Sequence, residues 1–201
     1  MSSKSRALTA GEIRLAKKVY KFALDYSLVK IHDGKYAFFQ PSQSGMTPNG
    51  EIYVDGVYMS DYSKGVPAIQ GFFIHEMAHV YQHQLKILNP IFAAISESFM
   101  HGFDYAKAYH YTLDANKDLL DYEIEQQAAI IEDYFRVAHL NLSPVKGHMQ
   151  NSYPDVVKNG LFVKVLKKFL VNPAYAKHEV VCNTRKLGKN HHKTCARVLV
   201  K

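Results

Sequence analysis

Phe72-Phe73-Ile74-His75-Glu76-Met77-Ala78-His79-Val80-Tyr81-Gln82-His83 carries the pattern H-E-x-x-H from His75 to His79. Residues four apart on a helix share a face, one turn above the other. Two imidazoles so placed can grip a single tetrahedral zinc ion, with Glu76 beside them to handle protons. The residues around them favour a helix. Ile69, Phe72, Phe73, Ile74, Met77, Ala78, Tyr81 and Leu85 fall at three- and four-residue steps, so one side can be buried. Pro67 suits the first turn, and Asn89-Pro90 is expected to end the run. Paired histidines are common on surface helices. An apolar helix with small Ala78 between the imidazoles is a setting more suited to a ligand pair.

Upstream, Thr9 and Glu12 fit a capping box with Leu8 as a hydrophobic staple, and Ile13, Ala16, Val19, Tyr20, Ala23 and Leu24 continue as an apolar stripe. Leu28 to His32 reads as a strand, Asp33-Gly34 as a turn, and Lys35 to Phe39 as a second strand. Pro41 to Gly45 reads as loop and Thr47 to Gly50 as a turn. Glu51 to Val54 alternates like a strand, placed to pair with an extended substrate at a cleft edge. Downstream, Ile91 to Phe99 is weakly helical and Ala106 to Leu113 is ambiguous. A second strong helix runs from about Tyr122 to Leu140, with Asp121 as its cap. Val156 to Val171 reads as a basic amphipathic helix bent near Gly160, and Val180 to Val200 as a hairpin around Gly188.

A catalytic zinc needs a third protein ligand and an open position. His83 is one turn beyond His79, but a third ligand from the same helix would crowd the metal. The acid-bearing helix after Tyr122 offers better candidates. Glu125 shares a face with Ala128, Ala129 and Glu132, and the two alanines would let this helix approach the zinc helix closely. Glu132 is the main rival, either as ligand or as the group behind a ligating histidine. Asp104 is a weaker one. For stabilising charge on a substrate carbonyl, Tyr109, His110, Tyr111 and Tyr122 are all candidates; Tyr111 stands for this set as the catalytic partner of Glu76.

The chain has 201 residues, 47% of them hydrophobic, with 14 Tyr, 11 Phe and no Trp, enough for an aromatic core in one domain with an appended piece. Neither a signal peptide nor a run of 18 apolar residues is found in it, so export is expected to use another route and no membrane span is expected. The net charge of +7 is uneven. Residues 158–201 carry 11 Lys or Arg against one acid, Glu179, whereas residues 1–157 carry 14 basic and 17 acidic residues. Such a tail suits an anionic surface or simply keeps the protein soluble. Cys182 and Cys195 flank Gly188 and could form a disulfide in an oxidising compartment. With His191 and His192 they match no common zinc-finger spacing.

Four segments together resemble the Vgr-related zincin-like metallopeptidases of bacteria, which occur near type VI secretion spike genes. These are Arg6 to Glu12, Met46 to Tyr53, Phe73 to Gln84, and Tyr122 to Ala128. The resemblance covers about residues 6–137. It implies an α+β, mostly helical zincin-like catalytic domain with a small sheet over residues 1–157. Residues 158–201, the basic helix and hairpin, match nothing in it and would form an extension packed on or appended to that domain. It further implies a gluzincin-type zinc site in which Glu125 of E-Q-Q-A joins His75 and His79. A peptide or peptidoglycan substrate, a secretion-spike carrier, an immunity protein, and action in the periplasm of a target cell after export from the cytoplasm would follow.

Three functions compete. The first is a zinc peptidase or amidase with Glu76 as general base. The second is a catalytically inactive adaptor on a secretion spike, which intact His75, Glu76 and His79 argue against. The third is a nucleic-acid binder, for which no recognised motif accompanies the basic tail.

Overall fold

The computed structural model describes residues 4–87 and 105–177. The fold is α+β: a four-stranded sheet leads into two long helices that cross the core. The strands are Lys4–Ala7 (β1), Lys30–Asp33 (β2), Ser44–Met46 (β3) and Ile52–Asp55 (β4), in the order β1-β2-β4-β3. Only β2 and β4 are parallel; the outer strands run antiparallel to them. Ile31, Ile52 and Val54 turn inward, while His32 stacks on Tyr53 on the opposite face at 4.2 Å, as the period of two requires.

The expected strand at Lys35–Phe39 is absent. Gln40 is buried there and folds the chain into turns: its side-chain oxygen accepts from Tyr36 N, and its amide donates to the carbonyls of Ser44 and Tyr53. Pairing passes instead to β3, which reads as loop and turn in the sequence. The 51–54 segment is therefore interior, flanked by β2 and β3, and cannot be the cleft edge. Strand β1 is equally unheralded, because a polar, charged edge strand carries little hydrophobic pattern.

Helix α1, Ala10–Tyr20, begins with the capping box of Thr9 and Glu12. Glu12 is fully buried and does more than cap. It accepts two bonds from Arg6, at 2.8 and 2.7 Å, and one from Tyr62 N at 2.9 Å. Arg6 also donates to Met59 O. One ion pair thus ties β1 and α1 to the loop that delivers the next helix.

That helix, α2, spans Pro67–Gln84 with Pro67 at its start. It stops before the Asn89-Pro90 signal, with Lys86 in a left-handed conformation. Every residue from Phe73 to Gln82 is buried, so α2 is a central helix rather than a one-sided one. The hydroxyl of Tyr20 donates to Ile74 O and that of Tyr81 to Pro173 O. After the short helix α3, Tyr105–Ala108, comes α4, Ile124–Leu140, which packs along α2. Its cap is Glu123, in a capping box with Gln126. Asp121 belongs to a separate 3-10 turn, Leu119–Asp121, capped by Asp118.

Helices α5, Asp155–Val165, and α6, Lys167–Val171, break at Leu166 rather than at Gly160. Phe162, Val165, Leu166, Phe169 and Ala176 belong to the same hydrophobic core as α2. Residues 88–104 and 178–201 lie outside the described residues. They include Asp104, Cys182, Cys195 and the expected hairpin. Among the described residues no helix is long and apolar enough to cross a membrane.

Candidate metal centre

Helix α2 presents His75 and His79 from successive turns, and α4 brings Glu125 up to both. Glu125 Oε2 lies 3.5 Å from His75 Nε2 and 3.3 Å from His79 Nε2. One ligand atom from each residue falls within 4.8 Å of the others, and all three residues are buried. Among the described residues, His75 Nε2 and Glu125 Oε2 have no hydrogen-bond partner. Buried polar atoms are costly when unsatisfied. Two imidazole nitrogens and a carboxylate oxygen converging on one point can hold a metal ion, and a bound cation would satisfy these atoms together.

The far side of each imidazole is also occupied. Gln82 Oε1 lies 2.9 Å from His79 Nδ1. The Gln82 amide nitrogen donates to Ile124 O at 2.9 Å and to Gln127 Oε1 at 3.1 Å. Those two acceptors decide which way the amide points, so its oxygen must face the ring. His79 then carries its proton on Nδ1 and leaves the Nε2 lone pair for the centre. Behind His75, Glu132 Oε2 lies 3.3 Å from Nδ1, an ion-pair contact short of hydrogen-bond geometry, and would favour the same arrangement. Gly71 makes that approach possible. A Cβ at Gly71 would fall 2.9 Å from Glu132 Oε1.

The electrostatics of the metal-free pocket follow from burial and pairing. Burial alone would push the His75 pKa down, but the Glu125 and Glu132 carboxylates outweigh it and raise it from 6.5 to about 10. Burial likewise opposes a charged His79, and Glu125 again wins, so its pKa rises. For Glu125, burial would raise the pKa, yet the His79 and His75 imidazoles hold it well below the usual carboxylate range. Without a cation, the protonated form of His75 is therefore favoured between the Glu125 and Glu132 carboxylates.

Glu76, next to His75 on α2, also reaches the sheet. Its Oε2 accepts from Thr47 Oγ1 at 2.7 Å. Burial raises its pKa, and the imidazoles and Thr47 offset only part of that. A carboxylate tuned upward suits a base that must take and return a proton near neutrality.

Of the aromatic candidates, Tyr111 is placed elsewhere. It is buried, and its hydroxyl donates to Asp133 Oδ2 at 2.7 Å. Its single proton is engaged inside the core, so it has none to offer a substrate. Tyr122 donates to Thr112 O. Tyr109 stands next to His75, with 5.3 Å between their rings, and stacks on His148. His83 is exposed, one turn past the ligand face. Gln82 is legible after the fact as the i+3 neighbour of His79. Thr47, Gly71 and His148 carry no local signal, since their contacts are made between distant segments.

No protein-family model matches the chain. It is 38% identical over 170 residues to the type VI secretion system spike protein VgrG2b of Pseudomonas aeruginosa. That match takes in 82% of this chain but only 15% of the length of the spike protein. Among solved structures, the effector domain of Pseudomonas aeruginosa VgrG2b superposes with a TM-score of 0.61 at 35% identity, covering 80% of this chain and 83% of that one. The chain therefore belongs to the family of the VgrG2b effector domain.

Proposed function

We propose that this protein is a zinc-dependent peptidase or amidase and acts as a type VI secretion effector. The observation that carries the reading is the convergence of His75 Nε2, His79 Nε2 and Glu125 Oε2 on one buried point beside Glu76. Two imidazoles and one carboxylate form a donor set that zinc favours in hydrolytic sites. When bound there, zinc supplies a water acidified towards neutrality and a Lewis acid for a carbonyl oxygen. His75, His79 and Glu125 would hold the ion, with Gln82 and Glu132 behind the two rings. Glu76 takes a proton from the attacking water and hands it to the leaving amine.

Strand β3 offers a substrate an edge. It is the outer strand of the sheet, and among the described residues nothing pairs with its free side. Gly45, at its middle, lies against Glu76. An extended peptide added along β3 would run past the base. Cell-wall peptide and protein both meet that requirement.

Kinship to a spike protein's effector domain supports a spike carrier; an immunity partner in the producing cell and action in the periplasm of a target cell belong to the same proposal. Digestion of muropeptides and of a protein panel tests the activity. Cleavage that stops with a chelator, returns with zinc and is absent in Glu76→Gln supports the reading. Cleavage that persists in Glu76→Gln removes Glu76 from it.

A further inference from the structure

We propose that Thr47 is the positioning residue of Glu76, with Gly45 as the seat against which the carboxylate rests; this depends on the peptidase reading above. Thr47 is 2% exposed and Glu76 5% exposed, and the hydroxyl donates to Oε2 at 2.7 Å. The other carboxylate oxygen is placed by shape. A Cβ at Gly45 would fall 2.4 Å from Oε1, 2.5 Å from Cδ and 2.8 Å from the tip of Phe72. A side chain there would have to push the Glu76 carboxylate aside, so the carboxylate rests against β3 at Gly45.

The two contacts come from one short piece of chain. Gly45 pairs with Val54, Met46 pairs with Tyr53, and Thr47 follows directly after the strand. The sheet therefore carries both contacts to a carboxylate carried by α2. A glutamate otherwise explores many rotamers, and fixing it loses side-chain entropy. A base displaced by about 1 Å loses on the order of a hundredfold in rate. A buried hydroxyl that holds one oxygen, and a glycine that receives the other, remove that freedom before substrate arrives.

The same hydrogen bond could serve only to satisfy a buried carboxylate, and the test separates the two roles. The zinc-loaded full chain carrying Thr47→Val keeps the side-chain shape without the hydroxyl; Thr47→Ser keeps the hydroxyl. We expect Thr47→Val to lower kcat by about 10- to 100-fold, with KM and zinc affinity each within about twofold of wild type. Thr47→Ser should recover kcat to within about threefold. Unchanged kcat in Thr47→Val, an equal loss in Thr47→Ser, or a parallel loss of zinc affinity overturns the proposal. Should Thr47→Val fail to fold, Thr47→Ala takes its place with the same expectations. Crystal structures of the variants give a reading without substrate: the Glu76 carboxylate stays against Gly45 in wild type and Thr47→Ser, and leaves it or spreads over rotamers in Thr47→Val. A carboxylate unmoved in Thr47→Val overturns the proposal. Absence of turnover by the wild type strikes the peptidase reading separately, and the crystal comparison still decides the role of Thr47.

Discussion

Gln82 presents its amide oxygen to His79 Nδ1 at 2.9 Å, and thereby favours the tautomer that leaves the Nε2 lone pair towards Glu125. The same amide reaches Ile124 O at the start of α4, so the group that sets the tautomer also joins the two helices that carry the ligands. Replacing Gln82 by Leu should lower zinc affinity by about 10- to 100-fold. It should also destabilise the metal-free protein by about 1–3 kcal/mol, because Ile124 O loses a buried donor. Chelator competition and urea denaturation read the two effects separately.

Gly71 and Glu132 give a case in which two effects oppose. Ala in place of Gly inside α2 gains about 1 kcal/mol of helix propensity. Its Cβ would crowd Glu132 Oε1 at 2.9 Å, and that carboxylate must move away from His75. The displaced group is the flexible end of a side chain, so the fold should tolerate the change, with net stability altered by less than about 1 kcal/mol. Zinc affinity should fall by about tenfold or more. Equal affinity in Gly71→Ala would show that Glu132 does not support His75.

Much of this centre is legible in the sequence because it is helical. Spacing alone places His75 and His79 on one face, and small Ala128 and Ala129 announce that α4 approaches closely with Glu125. The sheet is less legible. Lys35–Phe39 has the residues of a strand, but buried Gln40 satisfies the local backbone in turns instead. Ser44–Met46 has too little pattern to be recognised, and its pairing is set by β4. Tyr111 shows a different limit: composition locates the aromatic cluster, but only the fold shows that its hydroxyl is spent on Asp133.

The charge state of His75 links pH to stability in the metal-free protein. Its pKa is raised in the folded state, from 6.5 to about 10. Its contribution is then complete below pH 6.5 and is lost as pH rises towards 10. Thermal melts of the chelated protein should therefore show Tm falling between pH 7 and 10. Zinc binds the neutral imidazole, so the loaded protein should lose this alkaline decline and release protons on loading. Calorimetric titrations in buffers of different ionisation enthalpy count those protons.

Glu12 is the buried half of the ion pair that holds the loop before α2. Glu12→Ala strands Arg6 and removes the acceptor for Tyr62 N and Thr9 N. Breaking a buried pair from one side costs about 3–5 kcal/mol, so urea denaturation should show a loss of that order. Arg6→Ala leaves the fully buried Glu12 carboxylate without its cation and should cost at least as much.

Metal analysis of the purified protein beside Glu125→Ala and Glu76→Gln tests the zinc site. About one zinc per chain is expected in the wild type and in Glu76→Gln, and little in Glu125→Ala. Zinc bound equally well by Glu125→Ala, or no stoichiometric metal in the wild type after zinc loading, would contradict it.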